Sequence, residues 1–117
     1  MIQGIGVDIV DLARMQKIIE KGERFIARIL TPKEKAYFDN LNARRKIEYV
    51  AGRFAVKEAF AKALGTGLRN LDLQDIETLT NDSGAPYVTK APFVGKVWVS
   101  ISHTKKTAIA QIILEII

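Results

Sequence analysis

From Ile2 to Val10 the chain alternates. Ile5, Val7 and Ile9 share one side of an extended segment, and Gly4, Gly6 and Asp8 share the other. The period then changes. Asp11 stands where a helix beginning at Leu12 needs its N-cap. Leu12, Met15, Ile18 and Ile19, then Phe25, Ile26, Ile29 and Leu30, keep steps of three and four, with Gly22 as a break point. "TPKE" at 31–34 opens another helix, with Thr31 as cap, Pro32 in the first position and Glu34 completing a capping box; it extends to about Leu41. A long helix follows from about Arg44 to Leu64 and ends at Gly65. "IETLT", the turn "NDSG" and "PYVTK" then read as a hairpin, and "KVWVSIS" and "TAIAQIILEI" as two more strands. No repeat or linker interrupts the chain. The pattern predicts an α+β fold, one domain over residues 1–117, with helices mainly in the first half packed on an antiparallel sheet.

The long helix carries an anomaly. With Phe54 at the centre of its apolar face, Ile47 and Ala61 fall within about 20° of it, and Val50 and Glu58 about 40° to either side. Lys57 lies about 60° away, beside Leu64. Two charges therefore interrupt the stripe. Ionised groups are rarely packed away unpaired, because desolvation costs several kcal/mol per ion. A protein partner, a metal or a ligand should compensate them.

Composition narrows the possibilities. The 117 residues are 48% hydrophobic and 26% charged, a globular balance. There is no cysteine, which excludes disulfides and thiolate metal sites and is compatible with a reducing cytoplasm. Neither a signal peptide nor a membrane-spanning run is expected. The net charge of +5 favours an acidic partner: nucleic acid, phosphates or an acidic protein.

Asp8 is unusual in a strand. It is either a strand-end aspartate bonded to a loop, or a hard oxygen ligand with room beside two glycines for a metal and its waters. Mg²⁺ takes one or two carboxylates and borrows substrate phosphates, so Asp8 with Glu58 would suit it if the fold joins them. Glu58 is also four residues before Lys62, the spacing of a surface ion pair. Lys62 lies near "GTG", where backbone can approach a ligand closely. His103, the only histidine, ends "SISH" and delivers itself and Thr104 into a loop with Lys105 and Lys106 that would suit a phosphate. It is equally readable as a structural hydrogen-bonding group. Arg14, Lys17, Lys21, Arg24 and Arg28 recur at steps of three and four and share one helical face if the helix survives Gly22. That row is either solvated or a docking surface for an acidic helix.

Taken together, "GIGVDIVDLAR", "RFIARILTPKE", "AGRFAVKEAFAKALGTG", "DIETLTNDSGAPYV" and "VSISHTKKTAIAQIILE" resemble the bacterial holo-acyl-carrier-protein synthases, the small 4′-phosphopantetheinyl transferases, over nearly the full length. The resemblance implies transfer of phosphopantetheine from coenzyme A to a serine of apo acyl carrier protein, with release of adenosine 3′,5′-bisphosphate, in support of fatty acid biosynthesis. It implies that Asp8 and Glu58 bind Mg²⁺ and that Lys62 contacts the phosphates. Arg53, Gly65, His103 and Thr104 would belong to the coenzyme A pocket. Arg14, Lys21, Arg24 and Arg28 would dock the acidic carrier protein. It also implies a cytoplasmic homotrimer with its pockets between subunits, and neither a nucleic acid nor a membrane as partner. Glu58, acting through a water, is the candidate base for the serine; Asp8 or a metal-held hydroxide are alternatives. Lys57 would form an ion pair across a subunit boundary. Lys106 and Ala85 depart from the pattern, an acid and a lysine being frequent there.

The rival reading from another class is a basic RNA- or DNA-binding module. Charge favours it, but the phenylalanines follow helical core spacing rather than forming a stacking pair on a strand, and Asp8 and Glu58 would repel phosphate without a metal. A non-catalytic trimeric scaffold would leave the carboxylates unexplained.

Overall fold

The computed structural model describes residues 1–67 and 71–117. The elements run β1 (Ile2–Asp11), α1 (Leu12–Glu20), α2 (Glu23–Ile29), α3 (Pro32–Asp39), α4 (Ala43–Leu64), β2 (Glu77–Thr80), β3 (Pro86–Lys90), β4 (Lys96–His103) and β5 (Thr107–Glu115). The expected α+β architecture is therefore present. β1, β5 and β4 form an antiparallel sheet in that order, and β2 pairs with β3 in a separate hairpin. Among the described residues no helix is long and apolar enough to cross a membrane.

Most local signals act as their chemistry dictates. Thr31 and Glu34 form the reciprocal capping box, with Pro32 in the first turn of α3. Asn42 caps α4 by accepting from the Arg45 amide, and Gly65 ends the helix in the left-handed region at φ 84°. Gly22, at φ 109°, breaks the first helical stretch in two. Asp11 occupies the cap position of α1, but its side chain makes no capping bond. The first amide of α1 instead donates to the Lys106 carbonyl at the β4–β5 turn.

α4 lies across the three-stranded sheet and is overlaid by α1, α2 and α3. It is buried on nearly every side from Tyr49 to Ala63, and the Phe54-centred stripe is only its half-buried flank. A single-face rule fails for a helix packed between layers. Its seat on the sheet depends on small residues. Ala108 and Ala110 of β5 are fully buried. A Cβ on Gly6 would stand 1.9 Å from the Ala59 carbonyl oxygen, and one on Gly4 would stand 2.0 Å from that of Ala63. The backbones of β1 and α4 meet there.

Lys57 is entirely buried. Its ammonium donates to Glu34 Oε1 at 2.8 Å, to the Ile29 carbonyl at 2.7 Å and to the Leu73 carbonyl at 2.9 Å. Glu34 also accepts from the Thr31 and Thr78 amides. The partner is thus within the same chain, which corrects the expected ion pair across a subunit boundary. Glu34 was readable as a capping residue, but its second contact, 23 positions along the chain, was not.

The other face of the sheet is open. Ile5, Val7 and Ile9 are 61%, 52% and 63% exposed, and Trp98 is 50% exposed. Ile5, Ile113 and Trp98 lie in one cross-strand row, and Ile9 pairs with Ile109. The apolar side of the β1 alternation therefore points away from the chain's own core. The Gly4–Gly6–Asp8 side faces α4.

Candidate active site

The seam between β1 and α4 gathers the acidic pair. Asp8 follows Gly6 by two residues on the same side of β1, so the close approach that Gly6 permits brings the Asp8 carboxylate to the flank of α4. Glu58 and Lys62 project there from successive turns of the helix. The Lys62 ammonium donates to Asp8 Oδ1 and to the Val7 carbonyl, each at 3.1 Å. Burial raises the Glu58 pKa above the ordinary glutamate value; the charge of Asp8 adds to this, while Lys62 and Arg14 oppose it. Two expectations need correction. The room beside the glycines is not open space, because the α4 backbone fills it. Lys62 forms its ion pair with Asp8 across the seam rather than with Glu58 along the helix.

The site depends on that backbone contact. Gly6→Ala forces β1 and α4 apart, and we expect a loss of about 1–3 kcal/mol of stability from overpacking. Any activity that uses the carboxylate pair should fall much further than the folded fraction, because Asp8 and Glu58 separate. Denaturant titration paired with activity on the folded protein tests this; full activity in the variant would mean that the seam does not set the site.

Arg53 and His103 occupy a different place. Arg53 is buried; its Nε donates to the Thr78 carbonyl and its Nη2 to Thr80 Oγ1. Its guanidinium stacks 4.3 Å from the Tyr49 ring centre. Burial pushes the Tyr49 phenol up to about 12, with Arg53 opposing. His103 closes β4, and its Nε2 lies 3.3 Å from the Glu48 carbonyl. Both residues line a cleft of about 380 Å³ together with Arg45, Glu48, Tyr49, Thr80, Gly84 and Pro86. The sequence patterns do not single out these last six lining residues. Arg45, Tyr49 and Arg53 follow at steps of four on α4, which was a usable signal. The contribution of the β2–β3 hairpin was not, since it depends on how that hairpin folds back on the helix.

The cleft and the acidic seam are on opposite sides of α4. Five residues separate Arg53 from Glu58, a rotation of about 140°, and nine separate it from Lys62, about 180°. Across the sheet, Asp8 is in register with Ala110 and Ala110 with Ile101, so about 10 Å of sheet separates β1 from β4. Gly65 belongs with Lys62, at the end of α4. The Thr104 hydroxyl accepts from the Lys106 and Thr107 amides within the β4–β5 turn. Within one chain the expected pocket residues are thus not assembled into one site.

The basic row is also rearranged. Because Gly22 ends α1, Arg14 and Lys17 stand on α1 while Arg24 and Arg28 stand on α2, and no continuous helical face joins them. Lys21 and Arg28 flank exposed Phe25 at 5.3 and 5.4 Å from its ring centre, so Phe25 is a surface residue among cations rather than core. Arg14 stands over Phe54 at 5.8 Å, on the Glu58 side of α4.

The donor set suits a hard divalent cation. The Asp8 carboxylate and the Val7 carbonyl share the Lys62 ammonium, and Glu58 stands near enough to feel the charges of both Asp8 and Lys62. Among the described residues no group of three or more acidic, histidine or cysteine side chains forms a cage. Mg²⁺ is characteristically held by one or two carboxylates while substrate phosphates and waters complete its shell.

Residues 4–113 match the 4′-phosphopantetheinyl transferase superfamily (ACPS). The chain is 57% identical over 115 residues to a holo-[acyl-carrier-protein] synthase of Enterococcus faecalis, covering 98% of each protein. It is 50% identical to that of Lacticaseibacillus casei, covering 98% of this chain and 93% of the relative. Its fold superposes on a Bacillus anthracis holo-(acyl-carrier-protein) synthase solved in complex with coenzyme A (3′,5′-ADP), with a TM-score of 0.92 and 43% identity, over 100% of this chain and 99% of the other. The Asp8–Glu58–Lys62 seam therefore lies in a chain that belongs to the 4′-phosphopantetheinyl transferase superfamily.

Proposed function

We propose that this chain, acting as a single transferase domain, moves 4′-phosphopantetheine from coenzyme A to a serine of apo acyl carrier protein. It releases adenosine 3′,5′-bisphosphate and supports fatty acid biosynthesis. The convergence of Asp8, Glu58 and Lys62 at one seam, in a member of this superfamily, carries the reading. The serine oxygen bonds to the phosphorus that bears the pantetheine arm, and the bridging P–O bond to the adenosine bisphosphate breaks. Asp8 and Glu58 would hold Mg²⁺, which when bound neutralises charge growing on the pyrophosphate oxygens. Lys62, exposed and able to leave Asp8, would donate to a phosphate oxygen. Glu58 would take the serine proton through a water.

Arg53, His103, Gly65 and Thr104 would hold coenzyme A. Arg53 and His103 are across α4 from Lys62, so one bound molecule would meet both groups only if a neighbouring copy presents its cleft to the Asp8 edge. The open face of Ile5, Val7, Ile9 and Trp98 supports such an assembly, which we take to be a homotrimer. Exposed Arg14, Lys21, Arg24 and Arg28, with Phe25 between Lys21 and Arg28, would receive the acidic carrier protein, and the cytoplasm is its proposed location.

The test is a mass spectrum of apo acyl carrier protein incubated with this protein, coenzyme A and Mg²⁺, beside a chelated sample. A phosphopantetheine-sized gain, lost with chelator, is expected. No gain from folded protein would overturn the transfer reading. Sedimentation at the assay concentration should give the mass of three chains; a stable monomer would remove the inter-subunit site.

A further inference from the structure

A second groove, of about 540 Å³, runs between the start of α1, the N-terminal end of α4 and the β4–β5 turn. Its apolar lining comes from Leu12, Ala13 and Ile47. Arg14 and Lys17 rim it from α1, Arg44 from α4, and Lys105 and Lys106 from the turn, with Asp11 as its one acid. The transfer chemistry assigned above uses neither lysine of the turn nor Ile47.

The groove is held open by bonds that do not use its lysine charges. The Leu12 amide donates to the Lys106 carbonyl at 2.9 Å, tying α1 to the turn. Arg44 Nη2 donates to the Lys105 carbonyl at 2.9 Å, tying α4 to the same turn. Both turn lysines therefore have their backbones fixed and their side chains exposed. Among the described residues, Lys17, Lys105 and Lys106 are in no ion pair, whereas Arg44 is shared with Glu48. Concentrating like charge around an apolar floor opposes folding slightly and is relieved by an anionic occupant.

Arg14 belongs to both this groove and the carboxylate seam, because it influences Glu58 and rims the groove. A protein that brings its serine to Glu58 past Arg14 must lie over one or both sides of α1. One side leads to Arg24 and Arg28; the other leads into the groove. We infer that the groove bounded by Lys17, Arg44, Lys105 and Lys106 is a second docking surface for the acidic carrier protein. It takes an acidic segment of that partner with a small apolar side chain on its floor. This rests on the proposed transfer reading.

The experiment is steady-state kinetics on the Lys105→Glu/Lys106→Glu variant, in which two exposed side chains change and the backbone bonds remain available. KM for apo carrier protein should rise about tenfold, a change of about 1.4 kcal/mol, and its dependence on ionic strength should weaken. KM for coenzyme A and kcat should stay within about twofold. Binding of apo carrier protein to the same variant, read by fluorescence anisotropy in a Glu58→Gln background, should weaken in parallel. An unchanged carrier KM and anisotropy would overturn the assignment. So would a rise confined to the coenzyme A KM, which would make the groove part of the donor pocket. Failure of the parent protein to modify any carrier would instead defeat the transfer reading, so the two failures are separable.

Discussion

Glu58→Gln should lower turnover by about a thousandfold or more and at the same time make the metal-free protein more stable at pH 7. The loss is expected because the proposed site uses Glu58 both as a metal-binding oxygen and as the base. The gain follows from the site's electrostatics. Burial and the adjacent Asp8 raise the Glu58 pKa in the folded chain, against the pull of Lys62 and Arg14. A raised carboxyl pKa means that the folded state binds the proton more tightly than the unfolded state does. The ionised group therefore costs stability above its folded pKa, and this cost disappears as the pH falls through that pKa. The stability advantage of the variant should be largest at neutral pH and shrink towards zero under acid conditions. Added Mg²⁺ should reverse the order at pH 7, because it stabilises the parent in proportion to its binding and the variant hardly at all. Turnover within tenfold of the parent would remove Glu58 from the chemistry. A variant less stable at pH 7 without metal would show that Glu58 is a structural residue.

The second large effect is expected at Lys57. Lys57→Met keeps the length of the side chain but leaves the Glu34 carboxylate buried beside two carbonyls that have lost their donor. Breaking a buried ion pair from one side costs about 3–5 kcal/mol, because the remaining charge is uncompensated. A drop in melting temperature of roughly 10–20 °C follows for a chain of this size, at fixed protein concentration. Lys57→Met/Glu34→Gln should recover part of that loss, because the orphaned charge is gone while an amide oxygen still serves the α3 cap. A single variant within about 1 kcal/mol of the parent would show that the pair carries little of the packing energy. So would a double variant no better than the single. Burial lowers the Lys57 pKa, with Glu34 opposing, so the pair is held together by geometry rather than by a favourable medium.

The same two neighbouring residues show how far the sequence could be read. Both interrupt the apolar stripe of α4; Lys57 is fully buried and Glu58 half-buried. Their partners could not be found along the chain. Lys57 meets Glu34 because α3 lies against α4, and Glu58 meets Asp8 because β1 does. The resemblance groups Arg53 and His103 with Lys62, yet one chain holds them on opposite sides of its central helix. The docking row shares one helical face only if the helix survives Gly22, and Gly22, at φ 109°, breaks it.

The features legible in the chain alone are local. The capping box at Thr31–Glu34, the left-handed stop at Gly65, the break at Gly22 and the alternation of every strand follow from interactions within a few residues. Those interactions are much the same in any fold. Which side of each alternation lies inside depends on packing between elements. In β1 packing turns the glycines towards α4 and exposes Ile5, Val7 and Ile9, because only a strand without Cβ atoms at positions 4 and 6 lets the α4 backbone approach to contact. That contact places Asp8 beside Glu58. No period or propensity encodes it, since it is a fit between two surfaces more than 50 residues apart in the chain, as the Lys62–Asp8 bond across 54 positions records.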